Sequence, residues 1–166
     1  MVQFIGKSSI DGINYTSISK NVAITKYKAE AYVRTLEQAF VLHKTLPKGT
    51  NVLKEPKIVC ALPYRLLFKP YDDCIGRLRE DFVLSMLALS GTHTDYLKGT
   101  RGQKTPDYVI VINNTPIILE VGGKHKGRQQ FKGISIKTKL ILSHSDQITP
   151  DKCPLFLLGF CDQPNP

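Results

Sequence analysis

Between Tyr108 and Val121 the chain reads YVIVINNTPIILEV, two runs of β-branched and large apolar residues hinged on an Asn-Asn pair. Such runs favour a pleated, half-buried surface, and asparagine tolerates the left-handed backbone angles that a two-residue hairpin turn demands. The segment is therefore expected to form a β-hairpin with Asn113 and Asn114 at its tip. The turn also sets the register: residue 112 faces 115, 111 faces 116, and by continuation Asp107 faces Glu120. Directly opposed residues share one face of the sheet, with Cα atoms about 4.5 to 5.5 Å apart. Two carboxylates so placed repel each other unless a cation lies between them or one of them takes up a proton. Mg²⁺, with Mn²⁺ as a close substitute, is the expected cation, because it binds through one or two protein acids and keeps waters for a substrate phosphate.

Around this pair the charge is lopsided. The 166 residues carry a formal charge of +9. From Lys98 to Lys139 nine lysines and arginines accompany only two acids, Asp107 and Glu120. Basic residues gain most by displacing counter-ions from phosphates, so the expected partner is a polyanion, DNA first. Lys126, Arg128 and Lys132 follow the hairpin and are expected to line a nucleic-acid path through phosphate contacts. A continued strand puts residues 120, 122 and 124 on one face, so Lys124 is the expected lysine beside the acids. Glu80, in GRLREDF, is a third candidate acid, although an acid early in a helix also suits the macrodipole.

The remainder organises into two parts. Residues 1–62 read as helix, helix and hairpin, the order of a winged helix-turn-helix. Asn14 and Thr25 suit N-caps. In the helix after Thr25, the positions of Ala29, Val33, Leu36 and Phe40 make a buried stripe, leaving Lys26, Lys28 and Arg34 as a basic face toward DNA. A hairpin follows, with its turn expected at Lys48-Gly49-Thr50. After a proline-bearing stretch near residues 62 to 73, residues 63–166 read as an α/β plan. Its parts are a helix with Leu78, Phe82, Met86 and Leu89 on one face, a strand at TDYLKG, the Asn-Asn hairpin, a helix near GRQQFKGI, and strands at KLILS and LFLLGF. Hydrophobic residues make up 42% of the chain, enough for a core, and no apolar run approaches the ~20 residues of a membrane helix. A soluble, cytoplasmic protein without a membrane partner is expected. Cys60, Cys74, Cys153 and Cys161 show no zinc-ligand spacing and are expected as reduced thiols.

The string PD, an apolar hairpin and E-x-x-x-K, preceded by a helix carrying Glu80, resembles the PD-(D/E)xK nuclease-like superfamily. More narrowly, the stretch from TRGQKTPDYVIVI to FKG, with EPKIVCALPYRLL and GRLRED before it, is similar to the C-terminal region of a group of prokaryotic AAA+ ATPases. There a winged helix precedes a restriction-endonuclease-like mixed sheet flanked by helices. The resemblance implies metal-binding roles for Asp107, Glu120 and Glu80, and catalytic roles for these with Lys124 and Gln130. It also implies Mg²⁺-dependent phosphodiester hydrolysis on DNA, and an ATPase module as partner in cis or in trans. No Walker A stretch GxxxxGK[ST] occurs, so the chain is not itself that ATPase. The superfamily's lysine usually stands two residues after the glutamate, whereas Lys124 stands four after Glu120. A non-catalytic nucleic-acid-binding or protein-interaction module that keeps the nuclease fold is the alternative.

Overall fold

The structure is a computed structural model. It describes residues 1–10, 12–49, 55–97 and 105–160. Thr50 of the expected turn, Lys98, Arg101 and Lys104 of the basic count, and Cys161 lie outside them. The chain is mixed α/β and divides into two compact units, Met1–Ser85 and Met86–Pro166.

The first unit begins with α1 (Val2–Lys7), α2 (Tyr15–Val22) and α3 (Lys26–Gln38), followed by β1 (Leu42–Pro47) and β2 (Lys57–Cys60). Asn14 caps α2 by accepting from the backbone N–H of Ser17, and Ser17 returns the bond to the backbone N–H of Asn14. Thr25 caps α3 through the N–H of Lys28. Between the two helices Ala23 sits at φ 54°, the left-handed stop that lets α3 start at once. Ile5, Ile18, Ala29, Val33, Leu42 and Ile58 belong to one buried cluster, with Leu36 packed against it. Phe40 departs from the expected stripe: α3 ends at Gln38, Phe40 takes a positive φ of 56°, and its ring is exposed. β1 and β2 pair antiparallel, with Leu42 opposite Cys60 and Thr45 opposite Lys57.

The first unit runs past the proline-bearing stretch near residues 62 to 73 and on to Ser85. The reason is Arg65. Its guanidinium forms a buried pair with Asp81 on α4 (Tyr71–Leu89) and also donates to the carbonyls of Ile5 and Gly6 at the end of α1. Those carbonyls lack helical partners, so one side chain closes α1 and fastens the following segment to it. Phe68 reinforces the join, lying where a Cβ on Gly6 would stand, 2.3 Å from that position. Along α4 the buried residues include Cys74, Leu78, Asp81 and Ser85, while Leu89, expected on the buried face, is 63% exposed.

In the second unit β3 (Thr94–Tyr96), β4 (Tyr108–Ile112), β5 (Thr115–Gly123), β6 (Thr138–His144) and β7 (Lys152–Pro154) stand in that order. β3, β4 and β5 pair antiparallel; β6 and β7 are added in parallel. The sheet is therefore mixed. GRQQFKGI forms only a short 3-10 turn, Gln129–Phe131. LFLLGF, expected as a strand, is a 3-10 helix, Leu155–Phe160, and the strand in that region is the preceding Lys152–Pro154. A continuous apolar run does not by itself distinguish a buried strand from a short helix. Val109, Ile118, Phe131 and Ile141 form the core on one face of this sheet.

Candidate functional site

The hairpin adopts the expected register: Ile112 faces Thr115, Val111 faces Pro116 and Tyr108 faces Leu119. Asn113 and Asn114 both have positive φ, 48° and 61°, as a type I′ turn requires. Asp107 directly precedes β4, so the same register continued by one step sets it opposite Glu120. Its Oδ2 accepts from the backbone N–H of Val121 at 2.8 Å, which ties the carboxylate to the end of the ladder beside Glu120.

Glu120 is 1% exposed. It points to the same face as Ile118, and therefore toward the core that Phe131 covers. A buried carboxylate needs a compensating charge or several donors. Here the ammonium of Lys126 stands 2.5 Å from Oε1, while Oε2 is buried and accepts no hydrogen bond from the described residues.

Lys126, not Lys124, is thus the lysine that meets Glu120, and local geometry explains why. β5 ends at Gly123, and a turn closed by the Lys126 N–H on the Gly123 carbonyl, 3.0 Å, reverses the chain. Lys124 falls at the exposed corner of that turn, where its carbonyl accepts from Lys152 Nζ at 2.6 Å. Lys126 comes back over the strand. Its stem lies across Gly122, where a Cβ would meet the Lys126 Cδ and Cγ at 2.6 Å. Gly122 shares the face of Glu120, and its missing side chain leaves the channel through which the lysine reaches the acid. In β6, Ser143 pairs with Gly122; it is fully buried, and its Oγ lies 2.5 Å from that of Ser145.

The segment from Lys124 to Ile134 is fastened at further points. Arg128 pairs with Asp151, and that contact, with a hydrogen bond from Thr149, holds the Asp151 carboxyl below its ordinary range. Lys139 donates to the carbonyls of Ile134 and Phe131 at 2.9 and 3.3 Å. Gln130 is half-buried in the 3-10 turn, and His125 and Lys132 are exposed. Of the residues expected on a nucleic-acid path, Lys126 and Arg128 are thus already engaged by acids.

In the first unit, Glu80 lies between two cations: Oε2 is 2.8 Å from Lys57 Nζ, and Oε1 is 2.8 Å from Arg77 Nη1. On α3, Lys26 pairs with Glu55 and Arg34 lies 3.6 Å from Glu30, while Lys28 is exposed. Glu55 also accepts from the backbone N–H and hydroxyl of Thr16. Burial works against its charge, but the bonds from Lys26 and Thr16 outweigh that and hold the carboxyl below its ordinary value.

Among the described residues no group of three or more His, Cys, Asp and Glu side chains is gathered as a metal-binding set. Asp107 and Glu120 supply two hard oxygen donors, a set that suits Mg²⁺ better than Zn²⁺ because Mg²⁺ completes its shell with water and phosphate. Cys60 and Cys74 are buried, and burial pushes the Cys60 thiol up to about 12. No helix among the described residues is long and apolar enough to cross a membrane. Comparison with protein families, with curated proteins and with solved structures finds no match to this chain.

Proposed function

We propose that the chain is a DNA-binding protein whose second unit is a PD-(D/E)xK-like domain that hydrolyses phosphodiester bonds with Mg²⁺. The observation that carries this reading is the register of the Asn-Asn hairpin, which brings Asp107 and Glu120 to the same end of neighbouring strands. These two acids would hold the cation, which when bound polarises a scissile phosphate and acidifies a water. Asp107 is kept in place by the Val121 N–H, and Glu120 by burial in the sheet. Lys126 takes the role that the resemblance gives to Lys124: its ammonium already lies at the acid and is long enough to turn toward a phosphate oxygen. Gln130 and Lys132 lie on the segment that follows and would meet the nucleic-acid strand. The first unit would act as a winged helix, supported by its helix, helix and hairpin order, with Lys28 and Arg34 of α3 facing phosphates. The association with an AAA+ ATPase, in cis or in trans, rests on the sequence resemblance.

The Lys126–Glu120 contact also favours a second reading, a nucleic-acid-binding module without catalysis, because the pair neutralises the buried acid with no metal. One experiment decides between them. Incubated with plasmid and single-stranded DNA in Mg²⁺ or Mn²⁺, the protein is expected to cleave, and Glu120→Ala to lose that cleavage while still binding DNA. Salt-dependent DNA binding with no cleavage in any divalent metal establishes the second reading instead. Equal cleavage by Glu120→Ala overturns the site.

A further inference from the structure

Glu120 and Lys126 present a conflict that the two carboxylates alone do not. The acid proposed to hold a metal ion already has a cation on it, 2.5 Å away, and that cation is covalently part of the chain. A lysine that served only as a surface counter-ion would not need a cleared path. This one has it, since any side chain at position 122 would collide with the Lys126 stem from Cβ outward, at 2.6 to 2.8 Å. The backbone at Gly122 is ordinary extended strand, paired with Ser143 in β6. What this position requires of glycine is therefore space and not backbone freedom. Lys126 is also the residue at which the turn after β5 closes, so the reversal of the chain and the seating of the ammonium are one structural event.

We propose that Lys126 is the built-in occupant of the Glu120 carboxylate, seated by Gly122, and that it competes with a divalent cation for that group. The inference rests on the reading that Asp107 and Glu120 bind such a cation. In the metal-free protein the ammonium neutralises a carboxylate that burial would otherwise penalise severely. On metal uptake it has to leave Oε1, because two cations on one buried carboxylate repel. Its flexible four-carbon stem then carries the charge away from the acid. The contact therefore weakens metal affinity in the resting state and releases a positive charge beside the acids when metal enters. Such a site fills best when metal arrives together with an anion that can receive the displaced ammonium, which is the chemistry of a phosphate-bearing substrate.

The test is metal binding itself, read by Mn²⁺ electron paramagnetic resonance and by calorimetry on the full chain without DNA. Lys126→Met keeps the stem and removes the charge; Gly122→Ala keeps the charge and closes its path. Both variants are expected to bind Mn²⁺ about tenfold or more tighter than the unaltered protein, and Glu120→Gln added to either is expected to abolish the gain. Equal Mn²⁺ affinity in the unaltered protein and in both variants, still lost with Glu120→Gln, overturns the competition and leaves the metal site standing. Absence of Mn²⁺ binding in every variant, with folding verified by circular dichroism, overturns the metal site and the competition together.

Discussion

Arg65 grips Asp81 with two hydrogen bonds, Nε to Oδ2 at 2.5 Å and Nη2 to Oδ1 at 2.9 Å, and both side chains are almost wholly removed from water. Burial holds the Asp81 carboxyl above its ordinary value, a rise that the guanidinium only partly offsets. Removing one partner leaves a buried charge uncompensated, which costs about 3 to 5 kcal/mol. Arg65→Met is therefore expected to lower the denaturant midpoint sharply, more than either exposed-lysine variant Lys28→Met or Lys132→Met. The double variant Arg65→Met with Asp81→Leu is expected to regain part of the loss, since no charge remains stranded. A double-mutant cycle in urea measures both.

The hairpin tip offers a smaller and more local effect. Asn114 holds φ 61° at the second central position of its turn, a conformation that asparagine tolerates and alanine resists by roughly 1 to 2 kcal/mol. Asn114→Ala is expected to destabilise the chain by about 1 kcal/mol and Asn114→Gly to stabilise it by a few tenths, as Asn-Gly is the preferred type I′ pair. Thermal unfolding of the two variants against the parent reads the difference, and the opposite order would contradict the turn type.

His43 gives the first unit a pH dependence. Its Nε2 lies 3.0 Å from the hydroxyl of the buried Ser85, and burial pushes the imidazole below its ordinary value, against the opposing pull of Glu37. The unfolded chain, titrating near 6.5, then binds more protons than the folded one in the window just beneath that value. The contribution is complete above about pH 6.5 and is lost as pH falls through the window toward the lowered folded pKa. Urea denaturation at pH 7.5 and 5.5 is expected to show a stability loss on acidification that is smaller in His43→Gln. A slope unchanged by that substitution would remove His43 as its source.

Much of this architecture was written in local sequence. The caps at Asn14 and Thr25, the tight joint at Ala23 between α2 and α3, and the hairpin register depend on residues within a few positions of one another, and each follows from turn and cap chemistry. Contacts that depend on the chain returning to itself were not legible. Lys124 sits at the spacing that an uninterrupted strand would favour, but β5 stops at Gly123, and a four-residue turn brings Lys126 to Glu120 instead. The Gly-Gly pair before K-x-K was the available signal, since it permits both a strand end and a close approach. In GRLREDF the place early in a helix favours Glu80, whereas its neighbour Asp81 is the one fully buried, held by Arg65 sixteen residues earlier on a different element. LFLLGF has equal claims to strand and helix by composition, and only tertiary packing decides.

The ammonium groups of Lys139 and Lys152 end on backbone carbonyls, those of Ile134 and Phe131 for the first and of Lys124 for the second. Each works as a rivet between the sheet and the loop above it, and a rivet is not available as a handle. Their charge still adds to the field, but tallying basic residues from the formula overstates the number of ammonium groups at hand to grip phosphates, and the salt sensitivity of any complex formed there is expected to be shallower than the tally implies.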